Sequence, residues 1–264
     1  MLGDRSQNGR LRPWDFLGAP SDNHFQTLSR SYVPVGLIEM LEFDPKTSLD
    51  VGCFVGATSE YLKMRHPECL TVAIEPSERA AAIAKTRVDR IHIGKLEDVD
   101  MASEGYHRGF FDLIVMADVL EHMYDPWGSL RSLLPLLSER GCVLASIPNT
   151  RNLHVLNQLV QGDWRYEPTG LLDITHIRFF TPSSVKELFE SSGYIIEKLN
   201  FNSDPRFKHV NVKNNGNITL KMGRLTIESV TEDEAIEFTA LQIFVLARRS
   251  NTADCAAEFF GRKA

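Results

Sequence analysis

The fold of this 264-residue chain is decided by the stretch Ser48-Leu49-Asp50-Val51-Gly52-Cys53-Phe54-Val55-Gly56. It predicts a short strand that runs into a glycine-marked turn, and a helical segment at 57–65 follows directly. A second predicted strand, 70–75, ends on the acidic residue Glu75. Glycine lets the backbone approach a ligand closely because it lacks a Cβ atom. This order of strand, glycine turn, helix and acid-terminated strand is typical of nucleotide-binding pockets.

The composition is that of an ordinary globular protein, with 43% hydrophobic and 24% charged residues, so a full core can be buried. The formal net charge is −6, and Lys and Arg form no long run. Because nucleic-acid binders depend on clustered basic residues, we expect no nucleic-acid partner. The four cysteines form no CxxC pair, and neither a signal peptide nor a membrane-length apolar run is seen. We therefore expect a cytoplasmic protein without a membrane span.

Strands and helices are predicted to alternate along the first 150 residues. The predicted strands are 47–51, 70–75, 90–93, 110–116 and 141–147, and the predicted helices are 57–65, 77–88 and 127–138. Such alternation favours an α/β fold with a doubly wound, mostly parallel sheet and helices on both faces. A helix at 182–192 and strands at 194–201 and 240–248 follow. Since proline is unfavourable inside a helix, the 127–138 helix should kink or end early at Pro135.

Several segments lie outside this alternation. Residues 1–41 are expected to form an N-terminal cap or lid with one or two helices in its second half. The main domain is predicted at 42–250, with an insertion on the substrate side at 148–181. A second insertion, 203–239, is polar and ambiguous, and residues 251–264 are expected to be a tail.

The glycine spacing separates the nucleotide-type cofactors. Phe54 stands where a G-x-G-x-x-G dinucleotide loop would have its middle glycine, between Gly52 and Gly56, and no P-loop motif follows. Together with Asp50 and Glu75, the pattern resembles the first two motifs of class I S-adenosylmethionine-dependent methyltransferases. Phe54 departs from that family's usual second glycine, which puts the geometry of the turn in question.

Two later stretches extend the resemblance over roughly residues 47–147. Ile93-Gly94-Lys95-Leu96-Glu97-Asp98 is similar to the family's loop after the third strand, and residues 111–122 (FDLIVMADVLEH) are similar to its fourth-strand motif. The resemblance implies a seven-stranded Rossmann-like sheet with an antiparallel last strand and an insertion after strand 5. It also implies S-adenosyl-L-methionine as cofactor and S-adenosyl-L-homocysteine as product.

The resemblance further implies which residues bind the cofactor. Glu75 would bind the ribose diol, Leu96 and Glu97 would face the adenine, and Asp50 would act on the ammonium through the loop or a water. The full predicted set is Asp50, Gly52, Cys53, Phe54, Gly56, Glu75, Pro76, Leu96, Glu97, Met116 and Asp118. Turn capping remains an alternative role for Asp50, as does a helix N-terminal charge for Glu75.

A second signature, residues 162–181, is dense in aromatic, charged and histidine residues. It resembles a subset of these methyltransferases from bacterial surface-glycan and secondary-metabolite pathways. A weakly nucleophilic hydroxyl acceptor benefits from a base of near-neutral pKa, so the predicted catalytic residues are His176, His122 and Asp118. The predicted substrate contacts are Trp164, Tyr166, Asp173, His176 and Arg178. The alternative is packing within a lid for Trp164 and Tyr166, a hinge role for His176, and surface solvation for Arg178.

The preferred function is O-methylation of a sugar hydroxyl on a nucleotide-sugar or glycan precursor, with a histidine as general base. N-, C- or carboxyl-methylation of another small metabolite is the alternative with the same cofactor. A non-catalytic cofactor-binding or interaction module, with Phe54 blocking the pocket, is the alternative of a different class. A divalent metal at Asp118, Asp173 and His176 is also considered, but the usual paired acidic ligands are not evident, so we expect none. Self-association is left open.

Overall fold

The protein is described by a computed structural model that covers residues 33–207, 211–214 and 217–250. The strands of its main sheet are β1 (Thr47–Val51), β2 (Leu70–Glu75), β3 (Arg90–Ile93), β4 (Phe111–Ala117), β5 (Leu137–Pro148), β6 (Tyr194–Ser203) and β10 (Ala240–Arg249). The helices are α1 (Val35–Ile38), α2 (Ala57–Arg65), α3 (Glu78–Ala84), α4 (Pro126–Leu133), α5 (Leu153–Val160), α6 (Pro182–Ser191) and α7 (Glu232–Thr239). None of these helices combines the length and the apolar character needed to cross a membrane.

The seven strands lie in the order β3-β2-β1-β4-β5-β10-β6. Strands β1 to β5 run parallel to one another, whereas β10 runs antiparallel between β5 and β6. The predicted mostly parallel sheet with an antiparallel last strand is therefore confirmed. Strands β2 and β3 are added on one side of β1, whereas β4 and β5 are added on the other. The carboxyl ends of β1 and β4 therefore flank the crevice where ligands bind in such sheets.

Two predicted helices are shorter in the structure. Helix α3 is capped by Ser77, whose hydroxyl accepts the Ala80 N–H at 3.3 Å, and ends at Ala84 rather than at residue 88. Helix α4 ends at Leu133, and a 3-10 turn at Leu134–Leu136 leads directly into β5. Pro135 lies inside that turn, so the early end predicted for the 127–138 segment is confirmed. Strand β5 accordingly starts at residue 137, four residues before the predicted start at 141.

The ambiguous insertion at 203–239 folds as a small unit of its own. Strands β7 (Asn211–Asn214), β8 (Asn217–Met222) and β9 (Leu225–Val230) form an antiparallel sheet, and α7 follows. Its apolar core comprises Leu153, Phe207, Ile218, Leu220, Val230, Ala235 and Phe238. Since Leu153 opens helix α5, this unit packs against the 148–181 insertion.

The 148–181 insertion is anchored to the end of the sheet by two buried asparagines. Asn149 donates from its side-chain amide to the backbone oxygens of Glu237 at 2.6 Å and Ala240 at 3.1 Å. Asn152 donates to the same Ala240 oxygen at 2.8 Å and caps α5 by accepting the His154 N–H. Of the N-terminal segment predicted at 1–41, α1 falls within the described residues. Residues 1–32 and the predicted tail at 251–264 lie outside them.

Candidate functional site

A cavity of about 1240 Å³ opens at the carboxyl ends of four adjacent strands, β3, β2, β1 and β4. This is the edge at which an open parallel sheet binds ligands. The predicted site residues that line it are Gly52, Phe54, Glu75, Pro76, Leu96, Glu97, Asp118 and His122. Each of the four strand ends therefore contributes a predicted residue to one cavity. Residues that sequence reasoning did not select also line it, among them Tyr106, Val119, Met123, Tyr124 and Ile177.

The turn after β1 needs its two glycines. Gly52 has a φ of +68° and Gly56 a φ of +75°, in the region that disfavours side chains with a Cβ atom. A Cβ on Gly52 would lie 2.8 Å from Cγ2 of Val119, and one on Gly56 would lie 3.1 Å from Cα of Ala84. The turn therefore packs directly against the segment after β4 on one side and against helix α3 on the other.

Phe54 also adopts a left-handed conformation, with a φ of +50°. It packs against an apolar cluster of Val33, Val55, Ala57, Ala80 and Ile83 and forms part of the cavity wall. Its ring does not fill the cavity, which has a volume of about 1240 Å³. Phe54 therefore does not block the pocket, as the non-catalytic alternative had supposed.

Glu75 joins the end of β2 to the glycine turn. Its Oε2 accepts the Phe54 N–H and its Oε1 accepts the Ser77 N–H, each at 2.8 Å. Burial raises the pKa of this carboxyl, and the two backbone hydrogen bonds act in the opposite direction. Each carboxylate oxygen has a second lone pair, so Glu75 could accept hydrogen bonds from a ribose diol while it holds the turn.

Four predicted cofactor residues do not line the cavity. Asp50 is buried beneath the turn and accepts the Ser59 hydroxyl at 2.7 Å. Burial raises the pKa of Asp50 to about 7, against the effect of the Ser59 hydrogen bond. Cys53 and Met116 are buried apolar residues, and Gly56 stands at the start of α2. In this structure these residues shape the turn and the core behind it, and their contact with a cofactor stays a prediction.

Asp118 lies at the end of β4 with a φ of +53°. Gln242 Nε2 lies 2.7 Å from both of its carboxylate oxygens, and the Ser146 hydroxyl donates to Oδ1 at 3.0 Å. Burial raises the pKa of Asp118, and these hydrogen bonds oppose the shift. Gln242 comes from β10, 124 residues along the chain, and no local motif in the sequence pointed to it.

The two predicted histidines meet, but only one reaches the cavity. Their rings lie edge to face with centroids 4.7 Å apart. His122 lines the cavity, whereas His176 is buried behind it. Burial lowers the pKa of His176 to about 4, and the neighbouring His122 adds to the effect, so His176 is neutral at pH 7. A direct catalytic role for His176 stays a prediction, and the geometry favours His122 for contact with a ligand.

Sequence reasoning did not select Glu121, which lies between the two histidines. It is 1% exposed, and its backbone oxygen accepts the N–H groups of Ile177 and Arg178 at 2.9 and 3.0 Å. Its carboxylate oxygens have no hydrogen-bond partner. Burial raises the pKa of this carboxyl well above its usual range, and the charge of Asp118 adds to the shift. The adjacent acid and histidine after β4 were the signal available in the sequence.

The remaining predicted substrate contacts do not line the cavity; they are Trp164, Tyr166, Asp173 and Arg178. The ring of Trp164 packs edge to face on Phe179, with centroids 5.2 Å apart. The Arg178 guanidinium donates to the Tyr124 backbone oxygen at 2.6 Å. Through this bond the 148–181 insertion supports the cavity rim, to which it also contributes Ile177. Substrate contact by these four residues stays a prediction.

Comparison with known proteins gives a consistent result. The profile of a family described as "Methyltransferase domain" matches residues 28–199, more than half of the chain. Among curated proteins, a ubiquinone biosynthesis O-methyltransferase of Coxiella burnetii is 27% identical over 153 residues, which is 56% of this chain and 63% of that protein. The corresponding enzyme of Nitrosomonas europaea is 25% identical over 154 residues, with the same coverage. The alignments thus span less than two thirds of these relatives.

Solved structures share the fold. A SAM-dependent methyltransferase from Archaeoglobus fulgidus superposes with a TM-score of 0.57, covering 89% of this chain and 96% of that chain at 14% identity. Another SAM-dependent methyltransferase, from Thermotoga maritima, gives a TM-score of 0.53, with 85% and 89% coverage at 16% identity. At these identities the likeness concerns the fold alone.

Proposed function

This chain belongs to the methyltransferase-domain family, and we propose that it transfers a methyl group from S-adenosylmethionine to a hydroxyl group of a small molecule. The observation that carries the proposal is that His122 and Asp118 both line the wall of the cavity, after β4. Methyl transfer from a sulfonium is a displacement that needs alignment above all. A hydroxyl acceptor also needs a group that takes its proton.

We assign the half of the cavity formed by the ends of β2 and β3 to the nucleoside. Leu96 and Glu97 would face the adenine, and Glu75 would hold the ribose hydroxyls. The half formed after β4 is left for the methionine end and the acceptor. When bound, the cofactor supplies an electrophilic methyl group, and the chain's own residues orient the acceptor toward it.

The side-chain tautomer of His122 supports a role in proton transfer. Its Nδ1 lies 3.2 Å from the backbone oxygen of Thr175, which can only accept, so Nδ1 carries the proton and Nε2 has the lone pair. Asp118 is fixed by Gln242 and so forms a rigid acidic wall beside it. His122 is therefore the residue that we propose as the base for a hydroxyl acceptor.

For the acceptor itself, we propose a sugar hydroxyl on a nucleotide-sugar or glycan precursor. Polar side chains that hydroxyl groups could contact, Asp125, Ser129 and Ser132, line the acceptor half. An aromatic hydroxyl is the second candidate, because Met123 and Tyr124 give the same half an apolar rim. The curated relatives named ubiquinone biosynthesis O-methyltransferases also favour O-methylation over methylation of nitrogen or carbon.

The test measures S-adenosylhomocysteine formation with panels of sugar nucleotides, catechols and amines. We expect turnover with one hydroxyl panel, and the panel that responds identifies the acceptor class. His122→Ala should lower kcat by roughly 10²–10⁴ and leave cofactor binding by calorimetry unchanged, whereas the control His154→Ala should keep the wild-type rate. Turnover with amines alone would refute hydroxyl methylation, and a full rate in His122→Ala would refute the role of His122.

A further inference from the structure

We propose that Glu121, His122 and His176 form a binding site for one divalent transition-metal ion of the zinc or ferrous type. Within the described ranges, these are the side chains whose ligand atoms cluster, all within 4.8 Å of one another. Glu121 and His122 belong to the 3-10 turn after β4, and His176 comes from the 148–181 insertion. Ion binding itself does not depend on the proposed function; only the acceptor oxygen on which the ion would act rests on it.

The Glu121 carboxylate is the first support for this site. It is almost fully buried, and neither of its oxygens has a hydrogen-bond partner. Its Oε1 lies 3.9 Å from Nε2 of His122 and 3.8 Å from Nε2 of His176. A buried carboxylate without a partner is strongly unfavourable. The three ligand atoms face one another without mutual hydrogen bonds, so a cation bound between them could contact all three.

The tautomers of the two imidazoles are the second support. His176 Nδ1 lies 3.3 Å from the Leu171 backbone oxygen, so this nitrogen is the donor and Nε2 keeps its lone pair. His122 Nδ1 contacts both oxygens of Thr175, whose hydroxyl donates its own proton to Asp173 at 2.6 Å. Nδ1 is therefore the donor in His122 as well. Metal-binding histidines are held in this way, by a carbonyl on the nitrogen that faces away from the ion.

The ligand set indicates the class of ion. Two imidazole nitrogens and one carboxylate oxygen suit zinc or ferrous iron, whereas magnesium prefers oxygen ligands. Tetrahedral zinc, with bonds of about 2.0–2.1 Å, holds its ligand atoms roughly 3.4 Å apart. The Glu121–histidine separations of 3.8 and 3.9 Å thus need to close by a few tenths of an ångström. This set differs from the one considered from sequence, since the Asp118 oxygens are held by Gln242.

The site has one open side. The His122 side chain is 38% exposed and lines the cavity, whereas Glu121 and His176 close the opposite side. A coordination position toward the cavity would be free for water or for an acceptor hydroxyl, whose pKa a divalent ion lowers. With the ion bound, Nε2 of His122 would be a ligand and could not also act as the base; the ion would lower the pKa of the acceptor hydroxyl, and its proton would pass to water in the open cavity.

The experiment titrates chelator-treated full-length protein with Co²⁺ and follows its visible absorption, with Zn²⁺ and Mg²⁺ as competitors. We expect one Co²⁺ per chain, displaced by Zn²⁺ but not by millimolar Mg²⁺. Glu121→Gln and His122→Ala should each weaken binding at least about tenfold. The matched control is His154→Ala, which removes a histidine whose Nε2 lies 3.9 Å from Glu167 and which belongs to no ligand cluster among the described residues; its affinity should equal that of wild type.

Calorimetry with S-adenosylmethionine on the same samples reports folding and tests the methyltransferase assignment separately. Wild-type protein that binds the cofactor but no Co²⁺ would overturn the metal site and leave the methyltransferase function standing. Equal Co²⁺ affinity in wild type and Glu121→Gln would overturn it as well. Co²⁺ binding that depends on Glu121, in protein that fails to bind the cofactor, would support the metal site and count against the proposed function.

Discussion

Phe54 allows a direct test of how the cofactor turn is built, because backbone and side chain act there in opposite directions. Its φ of +50° lies in the left-handed region, which costs a residue with a Cβ atom roughly 1–2 kcal/mol. Its ring packs against the cluster that includes Val55 and Ile83. The two informative substitutions are Phe54→Ala and Phe54→Gly, since both remove the ring but only the second removes the Cβ atom.

The expected free energies of unfolding follow from these terms. Truncating a fully buried phenylalanine costs about 3–5 kcal/mol, so losing this half-buried ring should cost roughly 2 kcal/mol in either variant. Glycine adds an entropic cost of about 0.5–1 kcal/mol but relieves the left-handed strain. Phe54→Gly should therefore be more stable than Phe54→Ala by about 0.5–1 kcal/mol, the reverse of the usual order.

Urea unfolding at 25 °C measures this difference. Met64, which is 75% exposed on helix α2, is the control position. There the free energy of unfolding of Met64→Ala should exceed that of Met64→Gly by about 1 kcal/mol. An alanine variant that is the more stable at both positions would refute the reasoning about strain at Phe54. Both Phe54 variants keep the backbone N–H that Glu75 accepts, so a change in their cofactor affinity would report the contribution of the Phe54 ring to the cavity wall.

Three further perturbations test the cofactor half of the site. Gly52→Ala would place its Cβ 2.8 Å from Val119 at a φ of +68°, so calorimetry should show at least about tenfold weaker S-adenosylmethionine binding. Adding Val119→Ala to this variant should restore only part of the affinity, because the clash is removed but the unfavourable φ stays. Full affinity in the single variant would contradict the packing. Glu75→Gln replaces one of two acceptor oxygens with an NH₂ group and should weaken binding roughly 10–100-fold, whereas the control Glu139→Gln, on an exposed side chain of β5 outside the cavity, should leave it unchanged; equal losses would refute the ribose assignment. The pKa of Asp50 is raised from 3.8 to about 7 in the folded protein, so protonated Asp50 stabilises the fold fully below pH 4, and this contribution is lost as the pH rises through 7. Between pH 5 and 8, the free energy of unfolding in urea should therefore fall less in Asp50→Asn than in wild type, by roughly 2–3 kcal/mol. The same fall in both proteins would contradict this assignment.

The cofactor half was predictable from sequence because its contacts are local. The Phe54–Glu75 hydrogen bond joins residues 21 apart, and each strand end is followed directly by the residues that line the cavity. The predicted boundaries failed where a local pattern competes with chain geometry. Helix α3 ends at Ala84, four residues before the predicted end, and β5 starts earlier than its apolar run because the turn at Pro135 leads straight into it.

The reactive half of the cavity, which is formed after β4 and which we assign to the methionine end and the acceptor, was only partly predictable because its residues are distant in sequence. His122 and Asp118 stand in a recognisable motif, but the partners that orient them are 53 and 124 residues away, Thr175 and Gln242. Neither the periodicity of apolar residues nor the spacing of a motif indicates contacts between residues so far apart in the sequence. The insertion at 203–239 stayed ambiguous for a related reason, since its strands bury apolar residues against α5 and α7 rather than against the main sheet.

The two halves of the site therefore depend on different parts of the chain. Changes in the 148–181 insertion should disturb the reactive half and spare the cofactor half, because this insertion contacts the 3-10 turn after β4 through the bonds of Ile177 and Arg178 to Glu121. The Arg178 guanidinium also donates to the Tyr124 backbone oxygen, two residues after that turn. A substitution that loosens the insertion would move His176 relative to His122, and Glu75 would keep both of its backbone hydrogen bonds. Such a variant should lose turnover and retain its affinity for the cofactor.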